Sequence, residues 1–242
     1  MLYQTDICLA PFDSTGLYSD VSVKIHGAVM GLIPPETAQA MHTQKYHPLS
    51  VFAVSTPRGY IIRVSALNDE ARCIPEALSE CGSICIRGCN GNRPVPVSGC
   101  ESAPAVTAEM LAGLISPRGC RLELVTPAAV KTGGTFSAKP ELCAYLYSVM
   151  LKYNEFEHGA LEFDAVQEAF RAVRFGEYRL GSTQYRISGR TFPGMTGFCE
   201  LFFPDDPAQN SLLRLLLAYA SYCGIGAKTA QGMGGIILQR LH

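Results

Sequence analysis

Two successive runs of elements in the order β-α-β-β-α-β predict an α+β protein of two tandem ferredoxin-like (RRM-like) domains. Two further observations support that class: 48% of the 242 residues are hydrophobic, ample for two cores, and a glycine-rich loop separates a leucine-rich helical run from a terminal strand-like tail. The expected division is residues 1–117 and 118–242, joined near "SPRG", with the glycine-rich C-terminal loop in the second domain.

In the first half, residues 2–10 read as a strand. "DVSVKIHGAVMGLI" has helical spacing with Asp20 as its N-cap, and "PPETAQAMHT" begins a second helix with Pro35 in its first turn. "LSVFAVS" and "GYIIRVSAL" are β-rich runs joined by "TPRG", a hairpin signal. "NDEARCIPEALSEC" is helical with an expected interruption at Pro75, and "SICIRG" and "RPVPVSG" are strands again. The second half repeats the logic. "CRLELVTPA" is a strand and "KPELCAYLYSVMLKYNEF" a helix with Pro140 near its first turn. "RFGEYRL" and "TGFCELFF" are strands, "AQNSLLRLLLAYASYC" a helix and "GGIILQRL" a last strand.

Bulk properties exclude several classes. No run of 18 or more apolar residues appears, so no membrane span is expected. "MLYQTDICLAPFD" lacks the order of a signal peptide, and the expected location is the cytoplasm. Ten cysteines include no close CxxC pair, so Cys73, Cys81, Cys85, Cys89 and Cys100 are expected to be plain thiols with no metal. A net charge of −1 offers no global basic field, which leaves only a local basic face for nucleic acid.

The segment "GIGAKTAQGMGG" packs five glycines into residues 224–235. It is not a dinucleotide fingerprint, because it follows a helix and precedes a strand. It is not a nucleotide P-loop either, because Ala227 stands before Lys228-Thr229 where glycine is needed. Its grammar is Gly-apolar-Gly, five residues, Gly-apolar-Gly.

A helix, that loop and a terminal strand on the second of two ferredoxin-like domains resemble the repeat-associated (RAMP) superfamily of CRISPR proteins. Within it the chain resembles family six of the CRISPR-associated proteins, the endoribonucleases that cut the repeat transcript into guide RNAs. "MHTQKYHPLSVFAVS" is similar to the family's early histidine, polar turn and strand; "LELVTPAAV" to the segment opening its second domain; "GMTGFCELFF" to its Gly-Phe strand. The resemblance implies cleavage without a cofactor, leaving a 2′,3′-cyclic phosphate and a 5′-hydroxyl. It also implies CRISPR repeat RNA as the partner, with effector-complex subunits and a second copy of the chain as further candidate partners.

The residue chemistry agrees. RNA carries its own nucleophile, the 2′-hydroxyl, so the enzyme needs a base, an acid and a stabiliser for the phosphate. Histidine suits the proton work because it titrates near neutrality, and Lys or Tyr can assist. "HTQKYH" offers these groups together: His42 matches the family histidine, with Lys45, Tyr46 and His47 as candidate partners. His47, before Pro48, is expected to be extended and exposed. His26 joins only if the first two helices fold back on one another. Met30 stands where some relatives have a tyrosine, which shifts weight from Tyr-assisted chemistry to His and Lys.

For RNA binding, Gly224, Gly226, Gly232 and Gly234 would let backbone amides approach a phosphate, with Lys228 and Thr229 in the same loop. Arg186 and Arg190 are candidates to hold a repeat stem through its backbone. Two alternatives stand beside the nuclease: a non-catalytic superfamily subunit that grips guide RNA, and a cytosolic thiol or metal protein built on the Cys73–Cys100 region.

Overall fold

The computed structural model describes residues 1–10, 21–88, 91–139 and 141–241. The first sheet contains β1 (Tyr3–Leu9), β2 (Leu49–Thr56), β3 (Gly59–Ala66), β4 (Ser83–Gly88) and β5 (Gly91–Ser102). Its helices are α1 (Val21–Met30), α2 (Pro35–Thr43) and α3 (Cys73–Glu80). The strand order is β2-β3-β1-β5-β4, antiparallel throughout. Four of these strands keep the order of a ferredoxin-like sheet, and β4 extends it as an added edge strand.

A short helix α4 (Ala108–Leu111) leads to the second sheet. There follow β6 (Gly119–Ala128), a small hairpin β7 (Val130–Thr132) and β8 (Thr135–Ser137), then α5 (Leu142–Phe156) and α6 (Phe163–Arg171). The long strands β9 (Arg174–Ile187) and β10 (Arg190–Phe202), helix α7 (Pro207–Cys223) and β11 (Ile236–Arg240) complete the chain. The order β11-β6-β10-β9 is again ferredoxin-like.

Alternation explains why each sheet buries one face. On β1 the side chains of Thr5, Ile7 and Leu9 point inward, and on β6 those of Cys120, Leu122, Leu124, Thr126 and Ala128 do. Ile7, Ile25, Val29, Val51, Ile62 and Leu78 belong to one core, and Leu122, Tyr145, Val149, Leu201, Leu216 and Tyr219 to another. The halves meet where Gly235 lies against the Phe52 ring and Gln4 Nε2 donates to Ser221 O at 3.2 Å. Among the described residues no helix is long and apolar enough to cross a membrane.

The structure departs from the sequence reading in places. Pro75 does not interrupt α3: it is the third residue, where no intrahelical N–H bond is needed. The β7–β8 hairpin and α6 were not anticipated, β9 runs well beyond its predicted end, and β10 begins well before its predicted start. Asp20, Pro140 and Cys89 lie outside the described residues. Cys73, Cys81, Cys85 and Cys100 are free thiols, and among the described residues no cysteine joins a metal-ligating cluster.

Candidate active site

A cavity of about 740 Å³ opens between the two halves. One wall comes from α1, the end of α2 and the loop 44–48; it contributes His26, His42, Lys45, Tyr46 and His47. The other comes from the β7 hairpin, α5 and the glycine-rich loop. On α5 the lining residues Ala144, Tyr147, Ser148, Leu151 and Lys152 recur at helical spacing, so one face of that helix forms the wall.

Three imidazoles converge in this cavity. Ring centroids are 5.9 Å apart for His26 and His42, 5.4 Å for His26 and His47, and 5.3 Å for His42 and His47. Helix α1 therefore does fold back so that His26 joins the "HTQKYH" segment. His42 sits in the last turn of α2 and is exposed. His47 is half-buried rather than exposed as expected, because the loop turns its ring in against the other two. Lys45 and Tyr46 stand beside them, with Lys45 Nζ 5.2 Å from the Tyr46 ring centre.

Burial and the neighbouring histidines set the charge state. Desolvation, then the charge of His42, pushes His26 down to about 4. Desolvation, then His26, His42 and Lys152, does the same to His47, also to about 4. Both rings are neutral near pH 7. The Leu49 amide donates to His47 Nδ1 at 3.3 Å, so the neutral ring carries its proton on Nε2. That Nε2 has no protein partner, nor has Nδ1 of His26.

Lys152, which sequence reasoning missed, is 7% exposed. Its ammonium donates to Cys223 O at 2.7 Å and to Thr229 Oγ1 at 2.8 Å. Burial lowers its pKa, with the nearby Cys223 opposing. A signal was present: Tyr145, Val149 and Lys152 follow i, i+4, i+7, which puts a lysine on the apolar face of α5. Ser148 was missed too. Its hydroxyl donates to Tyr145 O at 2.6 Å and accepts from the Gly226 amide at 2.7 Å.

The glycine-rich loop is built for its own fold first. Gly224, Gly226, Gly232 and Gly234 all have left-handed φ. A Cβ on Gly226 would strike Ala129 O, and one on Gly234 would strike Ile225 O. Their amides are committed within the protein: Gly224 to Ala220 O, Gly226 to Ser148, Gly232 to Thr229 O and Gly234 to Pro127 O. The expected cradle of glycine amides for a phosphate is therefore not how these N–H groups are used. Thr229 is buried and holds Lys152.

Lys228 differs from its loop neighbours. Its Nζ lies 4.9 Å from the Phe192 ring centre and 5.9 Å from that of Phe136, and donates to Gln231 Oε1 at 3.2 Å. Burial, then the charges of Lys131 and Arg190, lowers its pKa. Lys131, Lys228 and Arg190 thus gather positive charge at the rim, and no ion pair to any of them is found among the described residues. Arg186 is exposed opposite Thr191, near the tip of the β9–β10 hairpin, and does not line the cavity.

Known proteins are similar to this chain in sequence and in fold. The profile of the family described as CRISPR-associated endoribonuclease Cas6 matches residues 122–236. A Cas6 endoribonuclease of Mycobacterium tuberculosis is 26% identical over 224 residues, covering 90% of this chain and 71% of the relative. One from Streptococcus thermophilus is 26% identical over 116 residues, covering 47% of this chain and 48% of the relative. Among solved structures, a Cas6 product complex superposes with a TM-score of 0.79 at 20% identity, covering 98% of this chain and 99% of that one. Thermus thermophilus Cas6 superposes at 0.74 with 19% identity and 98% coverage of both chains. The family match in the second half, the relative that spans most of the chain and the shared double ferredoxin-like fold agree: the chain is similar to the Cas6 family of CRISPR-associated endoribonucleases.

Proposed function

We propose that the protein cuts CRISPR repeat RNA into guide RNAs by general acid–base catalysis that needs no metal, leaving a 2′,3′-cyclic phosphate and a 5′-hydroxyl. The observation that carries this reading is the convergence of His26, His42 and His47 in one cavity whose rim holds Lys45, Lys131 and Lys228. The substrate's 2′-hydroxyl attacks the adjacent phosphorus, and the 5′-oxygen leaves. His42, exposed at the helix end, takes the 2′-hydroxyl proton. His47, neutral with its proton on Nε2, donates a hydrogen bond to a non-bridging phosphate oxygen, and the leaving 5′-oxygen takes its proton from Lys45 or Tyr46 on the same wall. Lys45 adds positive charge beside the crowded phosphate, and Lys228 at the rim holds the RNA backbone. Lys152 holds the loop that carries Lys228 against α5.

A Cas6 product complex and a Cas6 substrate-mimic complex share this fold, which supports repeat RNA as the partner. The test is incubation of the purified protein with repeat RNA in EDTA. Cleavage to a cyclic phosphate, abolished by a 2′-deoxy group at the scissile nucleotide, is the expected result. Binding without cleavage would make the protein a guide-RNA-gripping subunit. Cutting of the 2′-deoxy substrate, or a need for divalent metal, would overturn the mechanism.

A further inference from the structure

The three histidines have a second chemical capacity that proton transfer does not use. Each offers one ring nitrogen, and the three nitrogens lie within 4.8 Å of one another. A zinc–imidazole bond is about 2.05 Å and the ring centre lies about 1.1 Å farther out, so tetrahedral ligation sets ring centres about 5.2 Å apart. The observed separations are 5.3, 5.4 and 5.9 Å. The nitrogens themselves must close to about 3.4 Å for that geometry, which small rotations of the exposed His42 ring and its neighbours provide. Nδ1 of His26, a residue only 8% exposed, and Nε2 of His47 lack partners in the protein.

We propose that His26, His42 and His47 form a three-histidine site for one zinc-class transition-metal ion, and that filling it shuts off cleavage. The shut-off half rests on the ribonuclease reading above; the binding half does not. A neutral imidazole binds such an ion through the lone pair of a ring nitrogen. An all-nitrogen donor set selects Zn²⁺, Co²⁺ or Cu²⁺ over Mg²⁺ and Ca²⁺, which require oxygen. Three protein ligands leave a fourth position open to the cavity. The ion would occupy the lone pairs that receive the substrate's proton.

Ligation has a cost that keeps it reversible. Bonding through His47 Nε2 moves that ring's proton to Nδ1, so the 3.3 Å bond from the Leu49 amide is given up. Among the described residues no carboxylate is found hydrogen-bonded to any of the three rings, whereas strongly held zinc ligands have such partners.

The test uses the full chain without RNA, titrated with Co²⁺ and, by equilibrium dialysis, with Zn²⁺. One ion per chain, with the visible bands of tetrahedral cobalt and no thiolate charge-transfer band, is expected. Binding should be lost in His42→Ala and in His47→Ala, each checked for native circular dichroism. His42→Ala guards against a folding artefact, because His42 is exposed. Stoichiometric Zn²⁺ should slow repeat cleavage by about 10²-fold or more, the share of a histidine acid or base, with recovery in EDTA and no effect of Mg²⁺. Undiminished binding in both variants, a thiolate band or no binding would overturn the site. Full cleavage with the ion bound would overturn the shut-off. A chain inert in EDTA that still binds the ion at these histidines would sink the ribonuclease reading and leave the metal site standing.

Discussion

The wall built from residues 26–47 carries three imidazoles, while the facing wall from residues 130–231 lines the cavity with Lys131, Lys152 and Lys228 and no histidine. The two walls are also held differently. His42 and Lys45 are exposed, and the ring nitrogens of His26 and His47 include unpartnered atoms. Lys152, Ser148, Thr229 and the glycine amides are tied down by hydrogen bonds. The same ferredoxin-like unit, used twice, thus presents two different walls: one copy carries three imidazoles, the other a cationic floor tied down by hydrogen bonds. Substitution of the exposed groups of the first wall should alter rate without altering stability, and substitution of the buried loop groups of the second should do the reverse.

The largest effect that tests this division is on rate. His42→Ala should slow cleavage in EDTA by about 10²–10⁴-fold, the usual share of a general acid or base. Because His42 is exposed, its loss should change stability by no more than about 0.5 kcal/mol. Single-turnover cleavage and denaturant melts on the same sample make the check. An unfolded variant, or one that cuts at full speed, breaks the comparison.

The opposite wall should answer with stability. Gly226→Val places a β-branched residue at φ 75° and drives its Cβ against Ala129 O. Strain and overpacking together should cost about 3 kcal/mol. The denaturation midpoint should fall, and cleavage by the fraction that stays folded should remain. A variant as stable as wild type would mean that the loop tolerates a side chain there.

How much of this was legible in sequence follows the same division. "HTQKYH" is one short segment, so His42, Lys45, Tyr46 and His47 could be gathered without knowing the fold. Lys152 bonds to Thr229, 77 residues away, and only the packing of α5 on the loop reveals it. His26 needed the docking of α1. The strong helices and most strands were readable from periodicity, because each buries one face. The β7–β8 hairpin escaped because its strands are three residues long, although Gly133-Gly134 marks the turn. The glycines were recognised as special, but sequence could not say whether the close approach they permit is to RNA or to the protein's own carbonyls.

A pH series sharpens the first wall. His26 has a folded pKa of about 4 against an ordinary 6.5. Below pH 6.5 the unfolded chain binds a proton that the folded chain refuses, so stability falls as pH drops from 6.5 towards 4 and is unaffected above 6.5. The full difference corresponds to up to about 3 kcal/mol. Carboxylates also titrate in that window, so the readout is the difference between wild type and His26→Gln, both in chelator. The wild type should lose more stability on acidification. Parallel curves would mean that His26 is hydrated in the folded protein.

The smallest effect is expected at Lys228, the cation of the rigid wall that reaches the rim. It is held over Phe192 and bonded to Gln231, so removing its charge should leave the floor in place. Burial and its neighbours Lys131 and Arg190 make its charged form costly in the free protein. A phosphate at the rim would relieve that repulsion. Lys228→Gln should therefore weaken repeat-RNA binding modestly and reduce the slope of log affinity against log salt by about one. At saturating RNA the rate should stay near wild type, because the imidazoles are untouched. An unchanged slope would assign Lys228 to packing alone and leave Lys131 and Arg190 as the cations at the rim.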